Sequence, residues 1–368
     1  MVTAVDRRAL DRLRSLVEIE TPTGDAEAID AAHTLIDSWL ATVAGTAGEI
    51  VESDGVRHLR WSGGESPSVL LLGHLDTVWP RGTAAARPFR VEGDRITGPG
   101  VFDMKAGIVV MAEALARVAH PERVAILVTS DEETGSITSR ALIEQEARRC
   151  GTVLVLEPSL DGAVKTARRG GSIYRIEVHG RAAHAGLEPE RGRNALTELA
   201  HQVLALPALA DASLGTTVSP TVARAGTVTN AIPDHAELRI DVRAWSVAEL
   251  ERVHREMLAL PTRTPDVELV LHGGINRPPM EPEASRELLA VARSVAAELG
   301  QPELCDVAVG GASDGNFTAA AGASTLDGLG PNGGGAHAVD EWVSFASMIE
   351  RIALIAGAID ALDGAQSG

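Results

Sequence analysis

Three short, almost wholly apolar runs constrain the fold of this chain most: Val69-Leu70-Leu71-Leu72, Val124 to Thr129, and Thr152 to Leu156. They are too short for helices. They also lack the in–out alternation of a half-exposed strand, so they read as strands covered on both faces of a sheet. Helical patterns over Met104 to Ala119 and Thr138 to Arg148 separate them, and this alternation predicts an α/β domain with a mixed sheet. Upstream, Leu10, Leu13, Leu16 and Val17 recur at helical spacing. Pro22 disfavours helical geometry at Thr21, so this first helix ends near Glu20. In a second helix Ile29, Ala32, Ile36, Trp39 and Leu40 form an apolar stripe that leaves His33 near the polar face. Asp54-Gly55 between extended segments reads as a hairpin turn.

From about Gly170 the rhythm becomes strand (Ser172 to Val178), helix (Asn194 to Leu206), two strands (Thr221 to Thr229, Glu237 to Arg243), helix (Val247 to Leu258) and strand (Val267 to Leu271). This βαββαβ order predicts a ferredoxin-like insert. After Pro278-Pro279 the chain resumes helix, strand, short helix and strand, and closes with a helix from about Val343 to Leu362. The expected organisation is a discontinuous α/β domain, 1–169 and 279–368, around an inserted domain, 170–278.

The charge balance argues about partners. With 33 Lys+Arg against 51 Asp+Glu the formal net charge is -18, which repels phosphate backbones and anionic lipid. Nucleic acid and membrane are therefore excluded as expected partners. No apolar run approaches bilayer length and no basic–apolar leader opens the chain, so a cytoplasmic protein is expected. Cys150 and Cys305 are then expected to be buried free thiols.

Polar residues gather where the apolar runs end, and in an open α/β sheet ligands bind beyond the carboxyl ends of the strands. His74 and Asp76 follow the first run in GHLDTV, at a spacing that turns both side chains the same way. Asp103 stands in GPGVFDMKAG at a Gly-rich turn, where capping a helix is its ordinary role. Asp131, Glu132 and Glu133 crowd together in TSDEETGS; such crowding at the mouth of a buried strand needs a cation or proton to offset repulsion. Glu157 ends the third run in VLVLEPS, and His337 lies in GGGAHAVDEWV. Singly each has a structural explanation. Jointly they form a set of imidazole and carboxylate donors suited to Zn²⁺.

The order of these motifs, together with HAG in RAAHAGLEPERGRNAL, NAIP followed by DVR, and GGASDGNF, resembles the M20 family of metallopeptidases, in particular its glutamate carboxypeptidase branch. The likeness covers nearly the whole chain. It implies two Zn²⁺ per subunit, with Co²⁺ or Mn²⁺ as substitutes. Asp103 would bridge them, with His74 and Glu157 completing one site and Glu133 and His337 the other. Asp76 would hydrogen-bond the distal ring nitrogen of His74, and the peptide bond after Asp103 would be cis. Glu132 would be the general base, taking a proton from water and delivering it to the leaving amine. The insert would serve as a lid and dimerisation domain in a homodimer, and His184 would stabilise the oxyanion in the neighbouring subunit's site. Asn230 and Arg243 would hold the substrate's terminal carboxylate, and Lys165 and Arg277 a side-chain carboxylate such as that of glutamate. The substrate would be a small peptide or N-acyl amino acid.

Three rivals are weighed against this. A catalytically silent metal-binding protein has no use for a non-ligating acid such as Glu132. A nucleotide-binding protein built on Gly98, Gly100 or Gly333 to Gly335 lacks both GxGxxG after a strand and a Walker lysine. A broader aminoacylase or dipeptidase of the same family remains open.

Overall fold

The computed structural model describes residues 4–366, which form two compact units. One runs through Ala167 and resumes over Glu281–Val309 and from Ser313 onward; the other comprises Arg168–Met280 with Gly310–Ala312. No helix among the described residues is long and apolar enough to cross a membrane.

The first unit is a mixed α/β fold. Val69–His74 occupies the interior of a six-stranded sheet, parallel to Val124–Thr129 on one side and Thr152–Val155 on the other. Ser324–Leu326 adds a parallel edge, and the hairpin Glu49–Ser53/Val56–Ser62 adds two antiparallel strands at the opposite edge. Asp54 and Gly55 both have positive φ, 48° and 79°, as the two-residue turn of a right-twisted hairpin requires. Every residue of Val69–His74 and Val124–Thr129 is buried. Val69, Leu71, Ile126 and Val128 pack in one layer; Leu70, Leu72, Ala125 and Leu127 pack in another with Leu142, Ile143 and Phe317. Each large aliphatic side chain buried this way contributes roughly 1.5–3 kcal/mol, which explains why these runs are apolar at almost every position.

Helix Ala106–Leu115 is buried along its entire length. Its one acid, Glu113, is neutralised by Arg8 and Arg12 of the first helix at 2.6 and 2.9 Å. A Cβ on Gly107 would stand 2.2 Å from the Leu156 carbonyl oxygen, so only glycine lets this helix approach the strand end that precedes Glu157. The helix starts two residues later than the expected Met104 because Val101–Lys105 forms a separate wide turn with non-helical angles at Asp103 and Met104, and it ends at Leu115 rather than Ala119. Val164–Arg168 forms a strand that the sequence pattern did not reveal, and Trp342–Ser344 is a strand, so the last helix begins at Phe345.

His33 corrects the reading of the second helix. It lies four residues from Ile29 and three from Ile36, hence on the apolar face. It is 1% exposed, its Nε2 is 3.2 Å from Ser130 Oγ, and burial pushes its pKa down to about 3. Cys305 is another correction. Both cysteines are free, but only Cys150 is buried.

The second unit has the ferredoxin-like order. Its strands Thr217–Ala225, His235–Ala244, Gly170–His179 and Glu268–Arg277 lie side by side in that sequence, all antiparallel. Helices Ala195–Ala205 and Val247–Leu258 cover one face through a separate core that includes Tyr174, Ile176, Leu199, Leu238, Ile240 and Val253. Asn194 and Ser246 cap the two helices by accepting from backbone N–H groups. The first of the two middle strands starts and ends about four residues earlier than expected. The last runs on to Arg277.

Candidate metal centre and active site

Five donors converge at the carboxyl ends of the central strands. His74 terminates its strand, Glu157 follows Thr152–Val155, and Glu133 sits in the single turn Glu132–Thr134 just beyond Thr129. Asp103 reaches them from the wide turn, where the Asp103–Met104 peptide is cis, and His337 from the Gly-rich loop ahead of Trp342. His74 Nε2 lies 3.1 Å from Asp103 Oδ1 and 3.5 Å from Glu157 Oε1. His337 Nε2 lies 3.4 Å from Asp103 Oδ2 and 3.0 Å from Glu133 Oε2. Two donor triads result, His74/Asp103/Glu157 and Asp103/Glu133/His337, each with its donor atoms within 4.8 Å of one another.

The electrostatics are those of a cluster that holds protons where cations fit. Burial disfavours a charge on His74, but hydrogen bonds to Asp103 and Asp76 and the field of Glu157 outweigh it and hold its pKa well above 6.5. The hydrogen bond to Asp103 and the nearby Glu133 raise His337 to about 9. Burial lifts Glu133 to about 7, aided by Asp103 and Glu132. For Asp103 burial acts upward, yet hydrogen bonds from His337 and His74 draw it below the usual carboxylate range. Glu133 Oε1 is buried with no hydrogen-bond partner, a costly state that a cation relieves. Hard oxygens with imidazole nitrogens and one shared carboxylate suit divalent ions.

The neighbouring acids have separate tasks. Asp131 turns away, accepting from Thr138 N and Ser139 Oγ at 2.7 and 2.6 Å to secure the start of the following helix. Asp76 contacts His74 differently from expectation: its backbone carbonyl lies 3.0 Å from His74 Nδ1, while its carboxylate is 3.5 Å away. That carboxylate instead accepts from the N–H groups of Glu132 and Glu133, each at 3.2 Å, and from Thr23 Oγ1 at 2.8 Å. Asp76 therefore fixes the turn carrying both glutamates as well as the His74 ring. In GGASDGNF, Asp314 accepts from Thr129 and Ser136, securing the same turn from the other side. Glu341 is a buried acid beside this cluster that the sequence reading passed over. Its only signal was its place ahead of the apolar Trp342-Val343 strand.

Lys165 lies in the first unit on Val164–Arg168, its stem packed over Gly328. Within the insert, His184 and Asn230 are neighbours: His184 pairs with Ala231 in a short ladder, and Ala185 N donates to Asn230 O at 2.9 Å. His184 Nδ1 accepts from Gly186 N at 3.1 Å, which puts the proton of the neutral ring on Nε2. Arg243 and Arg277 both stand opposite Gly171 on flanking strands. Arg243 is already engaged with Asp241 at 2.8–3.1 Å. Arg277 is 6% exposed, unlike an ordinary surface charge.

Comparison with known proteins now bears on this geometry. Residues 70–361 match the family described as peptidase family M20/M25/M40. Over 361 residues the chain is 33% identical to carboxypeptidase G2 of Pseudomonas sp. (strain RS-16), spanning 94% of this chain and 86% of that protein. The chain belongs to the M20/M25/M40 peptidase family. As an M20 protein it is a metal-dependent hydrolase, and the nucleotide-binding alternative falls away. It is also 30% identical over 342 residues to a succinyl-diaminopimelate desuccinylase of Halorhodospira halophila, covering 86% of this chain and 89% of that one. Among solved structures, aminopeptidase PepT of Bacillus cereus shares the fold, with TM-score 0.75, 20% identity, and 97% and 99% of the two chains covered.

Proposed function

We propose that this M20 hydrolase is a carboxypeptidase that cleaves the amide bond to a C-terminal amino acid, preferentially glutamate, in small peptides or N-acyl amino acids. One observation carries the reading: two donor triads share Asp103, with the further acid Glu132 on the same turn as Glu133. The triads would hold two divalent ions, Zn²⁺ foremost with Co²⁺ or Mn²⁺ as substitutes. Bound there, such ions polarise a carbonyl and lower the pKa of water.

The side chains do the rest. Glu132 takes the proton of the attacking water and returns it to the departing nitrogen, so one carboxylate serves as base and then acid. Asp76 keeps Glu132 in place through its backbone N–H. His184, with its proton on Nε2, donates to the oxygen that becomes negative in the tetrahedral state. It does so in the neighbouring subunit of a homodimer; Leu187 and Val228, exposed by 76% and 59% in the loops beside His184 and Asn230, supply apolar surface for that contact. Asn230 and Arg243 receive the α-carboxylate. Arg243 must then share its guanidinium between Asp241 and substrate. Lys165 and Arg277 complement a second carboxylate. The free thiols support work in the reducing cytoplasm.

The desuccinylase relative favours a second reading, in which the basic groups meet a carboxylate on the acyl side and the enzyme acts as a broader aminoacylase or dipeptidase. A panel of N-acyl amino acids differing only in the C-terminal residue, assayed with Zn²⁺, separates them. Carboxypeptidase action on glutamate predicts the highest kcat/KM for C-terminal glutamate. Equal rates across the panel, or a preference following the acyl group, support the second reading. No turnover with any substrate or metal overturns both.

A further inference from the structure

Glu341, four residues after His337, takes no part in the chemistry above and is 2% exposed. Its Oε1 accepts from the backbone N–H groups of Phe102 and Asp103 at 2.9 and 3.1 Å. Its Oε2 accepts from Gly100 N and Trp79 Nε1, both at 2.9 Å. Four N–H donors thus point at two oxygens, an arrangement only an acceptor-only group satisfies. An amide in its place would set its own N–H₂ against two donors. Three of the four donors belong to the turn that presents Asp103.

The same glutamate closes the loop that presents His337. Ala338 N donates to Gly335 O at 2.8 Å and Glu341 N to Ala338 O at 3.2 Å. Gly335 has φ +74°, and a Cβ there would lie 3.0 Å from Glu341 Cα. A strap from outside completes the arrangement: Arg87 Nη1 donates to Val339 O at 3.1 Å while its guanidinium lies 3.9 Å from the Trp79 ring centre. Glu341, Trp79 and Arg87 therefore tie the His337 loop to the Asp103 turn. His337 needs that support. It is a non-glycine residue at φ +61° with a 53% exposed side chain, whereas His74 sits at the end of a buried strand with the Asp76 carbonyl behind its ring.

Resting on the two-ion reading, we propose that Glu341 is a positioning residue for the Asp103/Glu133/His337 half of the centre, setting whether that half holds its ion while leaving the His74/Glu157 half largely intact. Removing it frees two of three donors on one side, but only the shared carboxylate on the other.

The test is titration of metal-free protein with Co²⁺, followed by calorimetry and by the visible absorption of the bound ion. Wild type should take up two ions. Glu341→Gln should bind one ion with wild-type affinity and the second roughly 10–100-fold more weakly, the usual effect of removing a residue that orients a ligand. Its kcat should recover as Co²⁺ is raised, with KM unchanged. Trp79→Phe keeps the carboxylate and the ring under Arg87, so it should weaken the same ion only a few-fold, and it stands in if Glu341→Gln does not fold. Both ions binding as in wild type, or both weakening together, would overturn the proposal. Uptake of fewer than two ions by wild type would overturn the two-ion reading first, and this inference with it.

Discussion

The two halves of the centre share Asp103 but reach it by different construction. His74 ends, and Glu157 closely follows, parallel strands that are buried at every position but Thr152, and the His74 side chain is 2% exposed. Glu133 and His337 come from a single turn and a Gly-rich loop, and His337 is 53% exposed. A strand in a covered sheet positions its last side chain as a by-product of packing. A loop must be held by side chains recruited from far along the sequence, here Asp76, Asp314, Glu341 and Arg87. Equivalent chemistry therefore carries unequal rigidity, and the half built on loops is the one that solution conditions and mutation should disturb.

The strongest test compares His74→Ala with His337→Ala. The first should abolish uptake at the buried half and bring hydrolysis down to the level of metal-free protein; the second should leave one ion in place at the buried half. Metal stoichiometry and rate on both variants check this: each should retain one ion, and an equal loss of hydrolysis in the two would erase the distinction. Glu132→Gln should leave both halves loaded while kcat falls roughly 10²–10⁴-fold, the usual contribution of a general acid–base group; metal content and rate measured on one preparation decide it.

A pH series sharpens the comparison further. In metal-free protein Glu133 is raised to about 7 and His337 to about 9. Raised values mean that the folded state prefers the protonated forms. Their stabilisation is complete below the ordinary values of 4.5 and 6.5 and is lost as pH rises through 7 and then 9. The unfolding midpoint of metal-free protein should accordingly fall between pH 6 and 9, while ion uptake at the loop-built half strengthens over the same window with proton release. A flat midpoint would show that these two groups are not coupled to folding. The smallest effect is expected from Thr23→Val, which deletes one hydrogen bond to Asp76: about 0.5–1.5 kcal/mol of stability and a few-fold loss of kcat, with ion affinity preserved at His74.

Legibility in the sequence followed the same divide. Val124–Thr129 and Val247–Leu258 are where periodicity predicted them, because a covered strand and an amphipathic helix each write their environment into consecutive residues. His74 and Glu157 stood out for a related reason, as polar side chains at the ends of apolar runs, whereas Asp103, Glu133 and His337 were singled out as ligands only through the motif order shared with the M20 family. What could not be read depends on partners distant in sequence. The Ser130 contact of His33 spans 97 residues, and the backbone donors of Glu341 lie about 240 positions upstream. Val164–Arg168 escaped because Lys165 and Thr166 break its apolar pattern. Asp76 escaped in part, since spacing indicated that it faces His74 but not that its carboxylate would be claimed by the Glu132–Glu133 turn.

The neck of the insert has an implication for how such enzymes diversify. Arg168 and Met280, where the chain enters and leaves it, exchange reciprocal backbone hydrogen bonds of 3.0 and 3.1 Å. Their Cα atoms are thereby kept roughly 5.5 Å apart, as in any such antiparallel pair. With both ends clasped and a hydrophobic core of its own, the insert is a cassette. Recombination can exchange it as a block, or a tight turn can replace it, without rethreading the strands that carry His74 and Glu157. An exchange of that kind would replace His184, Asn230, Arg243 and Arg277 together while His74, Asp103, Glu133, Glu157 and His337 stayed in place.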